Sequence, residues 1–113
     1  MTEKITIIGA GGGMGLLFTK YFTDIGFEVT GHDIDNQKKV RASVKSDSLI
    51  GSILQPDYVL LCTPTKATPE IIRLISKEMK RGAFLIEISS EKSKTVPALL
   101  KTPSKINPIC IHP

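Results

Sequence analysis

Apolar and polar positions along the chain alternate between two periods. Ile5-Thr6-Ile7-Ile8 is a β-branched run that follows Lys4 and stops at Gly9, the mark of a buried strand over 4–8. Met14, Leu17, Phe18, Tyr21, Phe22 and Ile25 then fall at i, i+3, i+4, i+7, i+8 and i+11, which predicts a helix burying that face. Gly26 ends it as a C′ glycine would. Residues 27–32 return to a two-residue period and form a second strand finishing at Asp33, which completes a β-α-β unit of about 30 residues.

Beyond that unit, 35–39 is polar and turn-like or briefly helical, 40–44 is expected as a short third strand, and 46–54 as a short helix carrying Leu49, Ile50 and Ile53 inward. Residues 58–62 are apolar on both faces, as a central parallel strand requires, and Thr63-Pro64 breaks them. Thr68 as N-cap, Pro69 at the first helical position and Glu70 in the first turn announce a helix that runs past Met79 and is closed by Lys80-Arg81-Gly82. A fifth strand over 83–87, a short helix over 95–101 and a sixth strand over 109–111 ending at His112 complete the pattern.

Strands alternating with helices require right-handed crossovers and a parallel sheet. The class is therefore α/β: a Rossmann-type doubly wound sheet of about six strands in the order 3-2-1-4-5-6, with its ligand at the switch between strands 1 and 4. The carboxyl ends of the strands carry Gly9 to Gly15, Asp33, Thr63-Pro64-Thr65, Ser89-Ser90 and His112.

Composition narrows this picture without changing it. A chain of 113 residues with 41% hydrophobic and 23% charged residues has the make-up of one globular domain, over 1–113. It has no apolar run near the ~20 residues of a membrane helix and no signal-peptide pattern, so it is read as cytoplasmic, with no membrane partner. The formal charge of +4 is scattered and the chain has no tryptophan, a poor match to a nucleic-acid surface. No metal site is expected. Cys62 and Cys110 each sit in an apolar run and are expected as two buried free thiols.

The first loop supplies the chemistry. Gly9, Gly11, Gly12, Gly13 and Gly15 are five of seven residues between a strand and a helix, with Ala10 and Met14 between them. Glycines there let backbone approach a pyrophosphate, and the helix N-terminus offers free N–H groups and partial positive charge. The spelling G-x-G-x-x-x-G is one residue longer than the usual fingerprint. Asp33 lies 22 residues after Gly11, near the ~20 at which a carboxylate binds an adenosine ribose. A carboxylate there repels a 2′-phosphate and favours NAD over NADP, although His32, Lys38, Lys39 and Arg41 are near enough in sequence to hold such a phosphate. Alternatively, Asp33 caps a turn beside Asp35 and Asn36. His112, at the ligand edge, suits proton transfer coupled to hydride transfer, and Ser90 could hydrogen-bond it.

With these residues in place the chain resembles the N-terminal half of the prephenate/arogenate dehydrogenase family. Three stretches carry the resemblance: Gly9 through Phe18, Glu87-Ile88-Ser89-Ser90-Glu91-Lys92, and Ile111-His112-Pro113. The family's glycine loop is likewise one residue long and ends in Met-Gly. Its Asp-x-x-Ser-x-Lys motif is met by Glu87 in place of Asp, Ser90 and Lys92, and its His-Pro dipeptide by His112 and Pro113. The resemblance implies oxidative decarboxylation of prephenate or arogenate in tyrosine biosynthesis. His112 would accept the proton of the substrate's ring hydroxyl as hydride passes to the nicotinamide, and Ser90 would orient that histidine, the hydroxyl or the cofactor. It also implies a following helical domain, absent here, that supplies a substrate-binding arginine and most of a homodimer interface, so this chain alone is expected to bind NAD(H) but hardly to turn over. A stand-alone dinucleotide sensor would need Gly11, Gly15 and Asp33 but not Ser90 or His112; another dehydrogenase of the β-hydroxyacid type would give no reason for His-Pro.

Overall fold

A computed structural model describes residues 2–111. His112, the expected proton acceptor, and Pro113 of the His-Pro dipeptide lie outside the described residues. Six parallel strands, β1 (Lys4–Ile8), β2 (Glu28–His32), β3 (Val44–Lys45), β4 (Tyr58–Leu61), β5 (Phe84–Glu87) and β6 (Asn107–Cys110), form one sheet in the order β3-β2-β1-β4-β5-β6. This is the expected order 3-2-1-4-5-6. The strand connections include α1 (Gly13–Asp24), α2 (Leu49–Ile53), α3 (Thr68–Ile75) and α4 (Thr95–Leu100).

The sheet separates two cores. Ile8, Val59, Leu61 and Leu85 project to the face where Ile53, Ile72, Ile75, Met79, Leu99 and Ile106 complete a buried cluster. Ile5, Ile7, Val29 and Leu60 project to the other, against Phe18 and Phe22 of α1. Burying a large aliphatic side chain contributes about 1.5–3 kcal/mol, so these central strands are the principal source of stability. Thr6 is the buried polar residue of β1: its hydroxyl donates to the Ser52 carbonyl at 2.6 Å, which ties α2 to the sheet. An aromatic series, Phe18, Phe22, Phe27, Tyr58 and Phe84, has successive ring centroids 5.0–6.3 Å apart and runs from α1 to β5.

Several sequence expectations are corrected. The apolar face assigned to α1 is right only for Phe18 and Phe22, which pack on the sheet with Gly15 and Thr19; Met14, Leu17, Tyr21 and Ile25 are exposed. The helix does end as expected, in a Schellman motif: Gly26 takes φ +97° and its N–H donates to Thr23, while that of Phe27 donates to Phe22. The third strand is two residues at 44–45, because Val40 and Ala42 belong to an irregular segment packed over Gly31. Ile50 is exposed on α2, and the helix is capped by Ser48, whose hydroxyl accepts from the Gly51 N–H at 2.9 Å. Regular α3 stops at Ile75, and a turn carries the chain on to buried Met79 and to Gly82 at φ +87°. Cys62 is largely buried as expected, but Cys110 is exposed.

Candidate functional site

One register line crosses the carboxyl edge of the sheet: His32, Ile8, Leu61, Glu87 and Cys110 are neighbours in successive strands. The residues that follow them, Asp33, Gly9, Cys62, Ile88 and Ile111, therefore leave the sheet at a common level.

At the switch between β1 and β4 the chain turns sharply at a glycine. Gly9 has φ +82°, its N–H donates to the His32 carbonyl at 2.8 Å, and a Cβ on it would lie 2.5 Å from the Cys62 carbonyl oxygen. A Cβ on Gly15 would lie 2.1 Å from the Gly9 carbonyl oxygen. These two glycines are required by the protein's own packing. Gly12 and Gly13 are different: a Cβ on Gly12 would make only ordinary contact, at 3.5 Å, and one on Gly13 would meet nothing within 4 Å. Gly12 is the N-cap of α1, brings no side chain to the first-turn N–H groups, and no acidic residue occupies that turn. Backbone donors and the positive end of the helix dipole thus face open space lined by glycine. Met14, 43% exposed, borders that opening.

Asp33 stands beside it. Its Oδ2 accepts from the Gly11 N–H at 2.8 Å and its Oδ1 from the Asp35 N–H at 3.0 Å. The turn-capping alternative and the ribose-binding one are therefore compatible, because each carboxylate oxygen keeps a further lone pair. Lys38 lies against Gly11, where a Cβ would come 2.5 Å from Lys38 Cβ. His32 is withdrawn from any role toward a 2′-phosphate: it is buried, and Nδ1 donates to the Ser46 carbonyl at 2.9 Å.

After β4, the Thr63 and Thr68 hydroxyls lie 2.6 Å apart and Thr68 donates to the Pro64 carbonyl at 3.1 Å, so this loop is locked onto the start of α3. Thr65 lines a cleft of about 420 Å³ shared with Lys66, Glu91, Ser93 and Lys94. Burial pushes the Cys62 thiol up to about 12, which leaves it protonated and inert at neutral pH.

After β5, Ser90 is exposed in the loop. Sequence reasoning gave no role to its neighbours, and the structure does. Glu87 is fully buried, its Oε2 accepts from Lys92 Nζ at 2.7 Å and lies 3.5 Å from Cys110 Sγ, and its Oε1 accepts from the Ser89 N–H. Burial alone would raise this carboxyl; the Lys92 and Ser89 hydrogen bonds and the Lys92 charge outweigh it and hold it below its ordinary value. Lys92 Nζ also donates to the Ile111 carbonyl at 2.9 Å. Glu87 is thus a buried, ion-paired carboxylate that ties the end of β5 to the loop after it. Among the described residues, no group of three or more His, Cys, Asp or Glu side chains could hold a metal, and no helix is long and apolar enough to cross a membrane.

No family model matches the chain. A probable arogenate/prephenate dehydrogenase of Methanocaldococcus jannaschii is 30% identical over 93 residues, which cover 78% of this chain. The expected kinship with the prephenate/arogenate dehydrogenase family is borne out. The chain spans 21% of that dehydrogenase's length. Among solved structures, prephenate dehydrogenase from A. aeolicus in complex with hydroxyphenyl propionate and NAD+ matches 94% of this chain and 40% of its own at a TM-score of 0.78 and 21% identity. A semialdehyde dehydrogenase NAD-binding protein from Cupriavidus necator, in complex with calcium and NAD, reaches the same TM-score and identity over all of this chain and 42% of its own. An imine reductase from Bacillus cereus also reaches 0.78, at 20% identity over 96% of this chain and 40% of its own. These structures share the fold; it is the sequence relative that singles out the prephenate/arogenate dehydrogenases.

Proposed function

We propose that residues 1–113 are the NAD-binding domain of a cytoplasmic prephenate/arogenate dehydrogenase. The observation that carries this reading is the pairing, at the sheet's switch point, of a glycine-lined α1 N-terminus that packing leaves open with the Asp33 carboxylate one hydrogen bond away. The N–H groups of Gly13 and Met14 would hold the pyrophosphate, Gly11 and Gly12 would let the backbone approach it while their own N–H groups are bonded within the loop, Gly9 and Gly15 shape the turn, and Asp33 would accept from the adenosine ribose hydroxyls. Thr63, Pro64 and Thr65 would flank the nicotinamide. Bound NAD+ supplies the hydride acceptor. His112 would take the proton of the substrate hydroxyl on an imidazole nitrogen, and Ser90 would orient it. A further domain would complete the prephenate or arogenate site and the homodimer, since hydride transfer needs both reactants held at near-attack distance.

Calorimetry on the 113-residue chain tests the cofactor assignment. NAD+ should bind at least about tenfold more tightly than NADP+, and Asp33→Ala should weaken NAD+ about 10- to 100-fold, the loss of a charge-assisted hydrogen-bond pair. Tighter NADP+ binding would refute it. Prephenate- or arogenate-dependent NADH formation by the complete reading frame, abolished by His112→Asn with NAD+ affinity retained, tests the activity; the chain alone should show negligible turnover.

A further inference from the structure

We propose that Lys92 is a positioning residue, one that fixes the direction in which the backbone leaves β6 for His112. This rests on the reading of His112 as the proton acceptor.

Two hydrogen bonds hold the residue that follows the last strand, and a third holds one of their donors. The Ile111 N–H donates to the Glu87 carbonyl at 2.9 Å and extends the β5–β6 ladder by one step. The Ile111 carbonyl accepts from Lys92 Nζ at 2.9 Å, and the same Nζ is held at 2.7 Å by the buried Glu87 carboxylate. Ile111 is therefore gripped through both of its peptide groups by Glu87 and Lys92, although its own side chain is 45% exposed and offers little packing to hold it.

Neutralising the Glu87 carboxylate would require only one of Lys92's donors. The second donor goes to the oxygen of the peptide that joins Ile111 to His112. Anchoring that oxygen restrains rotation about the Ile111 Cα–C bond and so sets the plane of the peptide group at which the described chain ends. An ammonium fits this task because it has three donors and Glu87 fixes its position, whereas a neutral side chain would hold the carbonyl more weakly. Cys110, with its sulfur 3.5 Å from Glu87 Oε2, closes the cluster on the β6 side. Each partner comes from a different part of the edge: the end of β5, the loop after it, and the end of β6.

The test compares Lys92→Arg, Lys92→Met and the double variant Glu87→Gln with Lys92→Met. The double variant removes the buried charge together with its partner, so it keeps the fold if the single Met variant does not. In the 113-residue chain, the relaxation order parameter of the Ile111 carbonyl carbon should fall from about 0.85 to below about 0.6 in the double variant, while Leu85, Ile109 and the ladder-bonded Ile111 amide stay rigid and Lys92→Arg keeps most of the order. In the complete dehydrogenase, the double variant should lose about 10- to 100-fold in kcat with the KM for NAD+ within about twofold, and Lys92→Arg should recover most of it. Unchanged order at the Ile111 carbonyl in a folded double variant overturns the proposal, and so does an unchanged kcat. If the dehydrogenase reading itself is wrong, the wild type will not oxidise prephenate or arogenate, or His112→Asn will remain active; the relaxation measurement then still decides whether Lys92 holds Ile111.

Discussion

Replacing Gly15 by alanine is expected to lower the melting temperature of the chain by more than about 10 °C and to abolish dinucleotide binding. The added Cβ would stand 2.1 Å from the Gly9 carbonyl oxygen, 2.7 Å from Ala10 Cα and 2.9 Å from the Ala10 carbonyl carbon. All three are backbone atoms, so no side chain can swing away, and α1 must back off from the turn that follows β1. Overpacking of this kind costs about 3 kcal/mol or more, and each kcal/mol moves the midpoint of a domain of this size by roughly 4–8 °C. Gly13→Ala is the control. Its Cβ meets nothing within 4 Å, and alanine favours the helix, so the melting temperature should hold or rise slightly while NAD+ affinity falls. Thermal unfolding by circular dichroism checks both, and equal midpoints for the two variants would contradict the packing described for Gly15.

The second large effect is expected from Lys92→Met alone, and its signature is a reversed pH dependence. In the wild type the Glu87 carboxyl titrates below its ordinary value of 4.5, so it contributes stability that is complete above that value and is lost as pH falls through its depressed folded value. Removing Lys92 leaves burial, the largest single influence on this carboxyl, opposed only by the Ser89 hydrogen bonds, and the carboxyl is expected to rise above its ordinary value. A raised group contributes stability that is present below its unfolded value and lost as pH rises through the folded one. Stability should then be lower at pH 7 than near pH 4.5, by contrast with the wild type. Breaking a buried pair costs about 3–5 kcal/mol, and the lower end applies because Lys92 is 22% exposed. Urea unfolding at the two pH values measures it; a variant with the wild-type pH profile would show that Lys92 is not what keeps Glu87 ionised.

Most of the sheet was legible because β1, β4 and β5 are short apolar runs and β2 keeps a two-residue period, with Gly9, Asp33 and Pro64 marking the ends of β1, β2 and β4. The rotation of α1 was not. Its apolar residues outnumber one face, and the helix is turned by Gly15, whose missing side chain lets the first turn sit on the β1 loop; that contact selects Phe18, Thr19 and Phe22 as the inner line and leaves Met14, Leu17 and Tyr21 outside. The 40–44 segment misled for a related reason. Val40 and Ala42 alternate as a strand would, but they fill the space above Gly31, and only Val44 and Lys45 reach the ladder. At the site, Gly9, Gly15 and Asp33 could be recognised from spacing because their partners lie within one β-α-β unit. The Glu87, Lys92 and Cys110 cluster could not, since its members meet only through the β5–β6 register, and the sequence separates Glu87 from Cys110 by 23 positions. Lys92 carried a motif signal without a task; Cys110 carried none.

The place of β1 in the middle of the sheet has a consequence for how the chain is made. Its first turn is finished by a strand from the second half: the Cys62 N–H donates to the Ile8 carbonyl at 2.8 Å, and Gly9 is seated on the Cys62 carbonyl. Pairings this distant in sequence close slowly, after their intervening loops have formed. On the ribosome, β1, α1 and β2 are synthesised before any residue of β4 exists. The growing polypeptide therefore carries its nucleotide cradle half built, with one flank of β1 unpaired, until synthesis has passed Cys62.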